Sequence, residues 1–159
     1  MESINSKKKE SFIIRASMEA LKSQMLFRHG CIAVYGGKPI ASGYNHHRTY
    51  SKDKTILKEY SCSTHAEMDC IRKLNNSSYK NKLKDICLYV VKISNNNCKL
   101  GNSQPCSDCT SVLKLYKIKK VYHSIENGFV CKKLDDIIPR DSFGTTYIKK
   151  KIMNSSILV

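Results

Sequence analysis

Apolar residues recur at helical spacing in three segments of the chain. Residues 11–27 keep their apolar side chains mostly on one face, which predicts a first helix. The same pattern predicts a second helix over residues 64–74, with Met68, Ile71 and Leu74 as its buried stripe. A third helix is predicted to begin at 106–109 and to continue to about residue 116.

Five shorter segments have strand patterns. The runs 31–35 and 39–44 lie on either side of two glycines, which predicts a hairpin. Residues 86–93 are nearly all apolar or β-branched, as is typical of a central strand covered on both faces. The runs 119–124 and 129–134 are joined by a short link that contains Gly128, which favours an antiparallel hairpin. Helices alternating with strands in this way predict an α/β protein with a mixed sheet.

Two segments lack a clear pattern. A polar, Lys-rich loop runs from His46 to about Ser61, and loops of this length are usually functional or mobile. Residues 145–153 are interpreted as either an edge strand or a frayed tail. No repeat or low-complexity linker divides the chain, so we expect residues 1–159 to form a single domain with its core at about 11–143.

Composition narrows the class of protein. Of the 159 residues 41% are hydrophobic, and no apolar run approaches the roughly 18 residues that a membrane span needs. We therefore expect no membrane association, and an intracellular, cytoplasmic location because the N-terminus resembles no secretory signal. The eight cysteines are expected to be reduced. The net charge of +15 fits either a surface that binds polyanions or a coding bias towards A and T, which an excess of Lys over Arg would also reflect; charge alone does not separate these two.

The stretch STHAEMDC, at the predicted start of helix two, supports two interpretations. Thr64 and Glu67 have the spacing of a capping box, in which the two side chains cap the helix start reciprocally. His65 and Glu67 are also the residue types that bind zinc and move a proton beside it. The choice between the two decides whether the chain is an enzyme.

A pair of cysteines favours the second interpretation. Cys106 and Cys109 begin helix three, 41 residues after His65, and two helices packed side by side would bring their first turns together. One imidazole and two thiolates suit zinc and leave a fourth position for water. Zinc lowers the pKa of such a water towards about 7, and Glu67 is then placed to move its proton.

These residues carry a resemblance to a known family. The pattern H-x-E followed by P-C-x-x-C, here HAE at 65–67 and PCSDC at 105–109, is the signature of zinc-dependent nucleobase deaminases. From about Ser11 to Phe143 the chain resembles the cytidine and deoxycytidylate deaminase superfamily. The resemblance implies a three-layer fold, with a mixed five-stranded sheet between helices and an antiparallel final pair of strands. It also implies Zn²⁺ as the cofactor.

The resemblance further implies hydrolytic deamination of cytosine to uracil. His65, Cys106 and Cys109 would hold the zinc, and Glu67 would protonate N3 of the base and then the leaving amine. Substrate contacts are expected from Asn45, which would touch the sugar or base, and from the backbone at Ala66, which would read the pyrimidine edge; His47 and Tyr44 are further candidates.

A second arrangement of the zinc ligands stays open. Cys62 and His65 have C-x-x-H spacing, and together with Cys106 and Cys109 they would form a closed site of four protein ligands. Such a site is structural and has no room for water. The protein would then be a non-catalytic, zinc-stabilised binding module.

The substrate is not fixed by the motifs. The antiparallel final hairpin resembles free-nucleoside deaminases, whereas the HAE form resembles deoxycytidylate, polynucleotide-editing and toxin branches. Basic residues of the loop, Lys52, Lys54 and Lys58, favour a phosphorylated substrate. We expect a cytosine nucleoside or nucleotide, with cytosine, or less readily adenine, in single-stranded or duplex nucleic acid as the alternative. Relatives that act on free substrates are commonly oligomers, so a homo-oligomer is compatible with the resemblance.

Overall fold

The computed structural model describes residues 2–47, 63–142, 146, 149–150 and 153–154. Its main sheet has the strand order β2-β1-β5-β7-β8, with the short strand β6 paired to β5. Only β5 and β7 are parallel, and every other pair in this sheet is antiparallel. The strands are β1 (Phe27–Tyr35), β2 (Lys38–Tyr44), β3 (His46–His47), β4 (Ser63–Thr64), β5 (Cys87–Ser94), β6 (Leu100–Gly101), β7 (Lys120–Ile125) and β8 (Gly128–Lys133).

Helices cover both faces of this sheet and give the three layers that the resemblance implied. They are α1 (Glu2–Ala20), α2 (Ala66–Asn75) and α3 (Ser107–Leu115), with short 3-10 turns at Leu83–Asp85 and Leu134–Asp136. Helix α1 packs on one face, where its buried side chains meet Ile32 and Val91. Helices α2 and α3 pack on the other face, where they meet Leu88 and Val90. The mixed α/β fold is therefore confirmed.

The packing of the central strand explains why most of its residues are apolar. Leu88 and Val90 point into the core beneath α2 and α3, whereas Tyr89 and Val91 point into the core beneath α1. Successive side chains of a strand alternate between faces, so a strand buried on both faces needs apolar residues at every position. The predicted hairpins β1–β2 and β7–β8 are likewise confirmed as antiparallel pairs.

Two glycines let helices approach the sheet at backbone distance. A Cβ atom at Gly30 would lie 1.9 Å from the carbonyl oxygen of Ala16 in α1. A Cβ atom at Gly43 would lie 2.6 Å from the amide nitrogen of Cys70 and 2.7 Å from the carbonyl oxygen of Ala66, both in α2. Only glycine allows so close an approach, and Gly43 thereby fixes the position of α2 against β2.

Three predicted helix boundaries were wrong. Helix α1 begins at Glu2, nine residues before the predicted start at residue 11; residues 2–10 are mostly polar and show no apolar pattern, yet they contain no Gly or Pro that would end a helix. Helix α1 ends at Ala20 and not near Phe27, which is instead the first residue of β1. The apolar pattern continues past the helix end, but its later members Leu21 and Leu26 are 52% and 71% exposed. Helix α2 begins at Ala66, two residues later than predicted, because Thr64 pairs with His46 in a short two-stranded ladder.

The predicted loop and tail are described only in part. The first two residues of the predicted loop form β3, which pairs with β4 just after the loop, and residues 48–62 lie outside the described range. In the tail, Thr146, Lys149, Lys150 and Met153 are helical, so the edge-strand interpretation was wrong for these residues. No helix in the described part of the chain combines the length and the apolar character needed to cross a bilayer.

Candidate active site

The start of α2 carries three of the predicted site residues, His65, Ala66 and Glu67. His65 is the N-cap residue, with extended backbone angles and no capping hydrogen bond from its side chain. Thr64 belongs to β4 and does not cap the helix, so the capping-box interpretation was wrong. Ala66 and Glu67 follow with 0% and 5% exposure, and Glu67 points inward although acidic residues are rarely buried.

The first turn of α3 carries the two cysteines. Cys106 is the N-cap residue, and its sulfur accepts a hydrogen bond from the backbone N–H of Cys109 at 3.5 Å. The preceding loop is fixed to the sheet by Ser103, whose hydroxyl donates to the carbonyl of Val90 at 2.7 Å and accepts from the N–H of Ser124 at 2.8 Å. Both helix starts therefore meet at one edge of the sheet, as predicted.

The three predicted zinc donors converge. His65 Nδ1 lies 3.2 Å from Cys109 Sγ and 3.6 Å from Cys106 Sγ, and the three donor atoms all lie within 4.8 Å of one another. Zinc–nitrogen and zinc–sulfur bonds of about 2.0–2.3 Å in a tetrahedron place the donors roughly 3.5–3.8 Å apart. The donor set therefore fits zinc in both chemistry and spacing.

Electrostatic coupling among the donors favours a thiolate. The hydrogen bond with Cys109 is the main cause that lowers the pKa of Cys106 to about 4, although burial opposes it. The same hydrogen bond, together with burial, raises the pKa of Cys109 well above its usual value. Burial alone would lower the pKa of His65, but hydrogen bonding to Cys106 and its charge raise that pKa to about 9. The low pKa of Cys106 favours its thiolate, the form that binds a metal cation, whereas His65 and Cys109 would each release a proton when a metal binds.

Glu67 is a buried carboxyl group beside this donor set. Burial raises its pKa to about 7, against the opposing charge of His65, and the charge of Cys106 adds to the rise. A carboxyl group with a pKa near 7 can both accept and release a proton at neutral pH. Its acid–base properties suit a proton shuttle.

The site opens into a cavity of about 490 Å³. Pockets for small molecules usually measure about 300–1,000 Å³, so a nucleoside or nucleotide is of suitable size. His65, Glu67 and Cys106 line its floor, and the predicted substrate contacts Asn45 and Ala66 line it as well. The structure thus brings these five predicted residues to one cavity.

Asn45 is held rigidly by strand β1. Its Oδ1 accepts a hydrogen bond from the backbone N–H of His29 at 2.8 Å, and its Nδ2 donates to the carbonyl of Phe27 at 2.6 Å. An amide side chain has two donor hydrogens and two acceptor lone pairs, so one of each stays free for a ligand.

Tyr44 and His47 are placed elsewhere. Neither lines the cavity; the Tyr44 ring meets His46 edge-on at 5.8 Å between centroids, and its backbone N–H donates to Asp69 at 3.2 Å. His47 is exposed and pairs with Ser63 across the short ladder. A substrate contact by either residue stays a prediction.

Sequence reasoning missed most of the cavity rim. The residues that line it come from the start of β1 and the two residues before it, from β5, from the loop after β6 and from the segment after the last 3-10 turn. They are Met25, Leu26, Phe27, His29, Lys92, Asn102, Gln104, Arg140, Asp141 and Ser142. Burial lowers the pKa of His29 to about 4, so that its ring is neutral at pH 7. No motif marks these positions, because only the pairing of the strands brings them to one edge.

Cys62, the candidate fourth ligand, lies outside the described residues. Within the described ranges, His65, Cys106 and Cys109 are the one group of three or more side chains that could hold a metal ion. All seven cysteines of these ranges are free thiols.

A mixed sheet between two layers of helices, with metal donors where two helices begin, defines the class of zinc-dependent deaminases. Residues 6–125 match the family described as the cytidine and deoxycytidylate deaminase zinc-binding region. This match spans more than half of the chain, and the chain belongs to that family. Zinc is accordingly its cofactor.

Solved structures of deaminases share this fold. Cytidine deaminase from Burkholderia pseudomallei is similar, with a TM-score of 0.61 and 16% identity over 84% of this chain and 98% of that one. Apo dCMP deaminase from the cyanophage S-TIM5 has a TM-score of 0.54 and 20% identity over 91% of both chains. The cyanophage enzyme in complex with dCMP and dUMP has a TM-score of 0.53 and 22% identity over 74% and 80%. Comparison with curated protein sequences gives no match.

Proposed function

We propose that this protein catalyses the zinc-dependent hydrolytic deamination of cytosine to uracil in a nucleoside or nucleotide. The observation that carries the proposal is the buried carboxyl group of Glu67, which lines the same cavity as the zinc donors His65 and Cys106. Its burial would have no structural benefit in a purely structural zinc site, since an acid without a partner costs stability when it is buried. The fold likeness to an enzyme that binds dCMP and dUMP supports a cytosine compound as the substrate.

The metal would be held by His65 Nδ1 and by the sulfurs of Cys106 and Cys109. When bound, zinc supplies Lewis-acid activation of a water nucleophile. Glu67 accepts the proton of that water as the oxygen attacks C4 and delivers it to N3 of the base. The second proton, from the hydroxyl group that is now on C4, would pass through Glu67 to the amine. The C4–N bond would then break, ammonia would leave, and the C4 carbonyl of uracil would form. The pKa of about 7 suits Glu67 to both steps.

Two further residues would orient the base. Ala66 is the first residue of α2, and the first backbone N–H groups of a helix have no partner within it. This places a backbone donor at the cavity floor that can pair with the pyrimidine edge. Asn45 keeps one donor and one acceptor free beside it, which suits a contact with the sugar or base.

Substitution of Glu67 tests these roles. Glu67→Gln keeps the shape of the side chain and removes proton transfer, which is typically worth about 10²–10⁴-fold in rate. We expect the zinc-loaded variant to lose kcat by that factor against cytidine, deoxycytidine, CMP and dCMP, with its zinc content unchanged. Glu126→Gln, in the exposed β7–β8 turn, is the matched control and should keep the wild-type kcat and zinc content. A Glu67→Gln protein with wild-type kcat would end the proposal.

A second candidate, deamination of cytosine within nucleic acid, is favoured by the net charge of +15. Basic surfaces neutralise phosphates and bind single strands without sequence preference. An assay of a cytosine-containing oligonucleotide beside the four small substrates separates the two candidates. Turnover of the oligonucleotide alone would replace the first proposal with the second.

The closed-site alternative also has a direct test. If Cys62 were a fourth ligand, Cys62→Ser would lower the zinc content as strongly as Cys106→Ser does. We expect Cys62→Ser to retain zinc and turnover. Loss of zinc in that variant, without turnover by the wild type, would identify a structural zinc site.

A further inference from the structure

Two basic side chains line the mouth of the cavity that contains the zinc donors. Lys92 comes from the central strand β5, and Arg140 comes from the segment that follows the last 3-10 turn. Neither takes part in the chemistry proposed above. In the part of the chain that the structure describes, no carboxylate forms an ion pair with either side chain.

Lys92 is held over the cavity by its stem. The stem crosses Gly101, where a Cβ atom would lie 3.2 Å from Lys92 Cδ, so the absence of a side chain there makes room for it. The ammonium nitrogen lies 4.5 Å from the centre of the Phe27 ring. Its charge also reaches His29: burial is the main cause of the low pKa of that residue, and Lys92 lowers it further. The ammonium group thus faces the cavity without an anionic partner.

Arg140 is positioned by its own backbone. Its carbonyl oxygen accepts a hydrogen bond from the N–H of Ser107 at 2.6 Å, which fixes this segment against the first turn of α3. The next residue, Asp141, is already engaged, since it accepts from the hydroxyl of Ser107 at 3.3 Å and pairs with Lys149 at 2.7 Å. Arg140 is exposed, and the N–H groups of its planar guanidinium can donate hydrogen bonds at the rim.

Two other basic side chains near this rim, within the described ranges, have polar partners. Lys132 donates to the side-chain oxygen of Gln104 at 3.0 Å, and Lys149 pairs with Asp141. Two cations without a counter-ion suit one phosphate group, which Arg binds bidentately and Lys binds as a point charge. A single strand would need a groove that follows several phosphates.

We propose that Lys92 and Arg140 form a subsite for the 5′-phosphate of a cytosine mononucleotide. The inference rests on the proposed function and selects a nucleotide over a nucleoside as the substrate. Once the base is seated above Glu67, the phosphate of the substrate reaches the rim of the same cavity. The cavity of about 490 Å³ has room for the whole molecule.

The test compares nucleotide with nucleoside in the same protein. Lys92→Gln and Arg140→Gln each remove one positive charge. The quantity measured is kcat/KM for CMP divided by kcat/KM for cytidine, and the same ratio for dCMP and deoxycytidine. Because a hydrogen bond to a charged group is lost, each variant should lower this ratio by about ten- to hundredfold. The controls Lys84→Gln and Arg15→Gln, exposed and absent from the cavity lining, should keep the wild-type ratio.

A binding measurement tests the phosphate subsite independently of the proposed reaction. In zinc-loaded Glu67→Gln protein, titration calorimetry should give a lower Kd for CMP than for cytidine. A second substitution in the same protein, Lys92→Gln or Arg140→Gln, should remove that difference in Kd. The wild type could fail to deaminate any substrate while this difference in binding is still present. In that case the subsite stands and the proposed function fails. Equal binding of CMP and cytidine, or ratios unchanged in both variants, would overturn the subsite. So would a preference for a cytosine-containing oligonucleotide over CMP that both variants abolish.

Discussion

Replacement of Gly43 by alanine tests how the fold positions helix α2, which carries the proposed catalytic residue Glu67. Gly43 lies in β2 directly beneath α2, the helix whose first turn carries Glu67. The new Cβ atom would stand 2.6 Å from the amide nitrogen of Cys70 and 2.7 Å from the carbonyl oxygen of Ala66. Both of these are backbone atoms, so no side-chain rotation relieves the clash. Either the helix or the strand has to move.

The distances give the size of the effect. Ordinary contact of a Cβ atom begins at 3.4 Å, so α2 has to move by about 0.8 Å. Overpacking of this kind costs about 1–3 kcal/mol of unfolding free energy. A misplacement of about 1 Å in a catalytic group costs roughly 100-fold in rate, so we expect kcat of Gly43→Ala to fall by one to two orders of magnitude.

Thermal and urea unfolding, zinc content and kcat are measured together on this variant. Two controls separate the clash from the mere change of residue. Ser42→Ala, at the neighbouring position, should leave all three near wild type. Gly101→Ala should change stability by less than about 1 kcal/mol, because the atom nearest to its new Cβ belongs to the flexible side chain of Lys92. A Gly43→Ala protein as stable and active as wild type would refute the close packing of α2 on β2.

Two further predictions concern buried polar groups. Asp69, with its side chain 3% exposed, accepts from Arg72 at 2.8 Å and Lys73 at 3.2 Å, so Asp69→Asn should lower the unfolding free energy by about 1.5–3 kcal/mol at pH 7 in urea titrations. Burial would raise the pKa of Asp69, but these two partners outweigh it and lower the pKa. The stabilisation is therefore present above about pH 4 and is lost as pH falls through the lower folded value. A difference from wild type that does not diminish as pH falls below about 4 would contradict this. Cys109→Ser should lower zinc content at least tenfold by atomic absorption, whereas Cys98→Ser, at an exposed cysteine, should keep it; equal zinc in both would exclude Cys109 as a ligand.

The sheet and the metal donors could both be predicted from the sequence, and particular residues show why. Apart from Lys92, the run 86–93 is apolar because its side chains enter both cores, and few other structures produce such a run. His65, Cys106 and Cys109 could be predicted because zinc restricts the residue types and the spacing of its ligands. The capping-box spacing at Thr64 was misleading, since it competes with a strand pairing that depends on residues far along the chain.

The end of α1 and the rim of the cavity could not be predicted in the same way. Leu21 and Leu26 continue a helical apolar pattern, but both are exposed and the chain has already left the helix. Lys92 is one of many lysines in a strongly basic sequence, and nothing local distinguishes it. Its place in the lining of the cavity that His65 and Cys106 also line follows from the register of β5 against β1 and β6, which is a property of the whole sheet.

The most direct test of the central claim follows the atoms of the reaction. Zinc-loaded wild-type protein is incubated with CMP, dCMP and the corresponding nucleosides in ¹⁸O-labelled water, with Glu67→Gln as the blank, and products are analysed by mass spectrometry with an ammonia assay. The account predicts a uracil product that carries one solvent oxygen, one ammonia per base converted, and almost no product from the blank. Zinc-loaded wild-type protein that yields neither uracil product nor ammonia would contradict it.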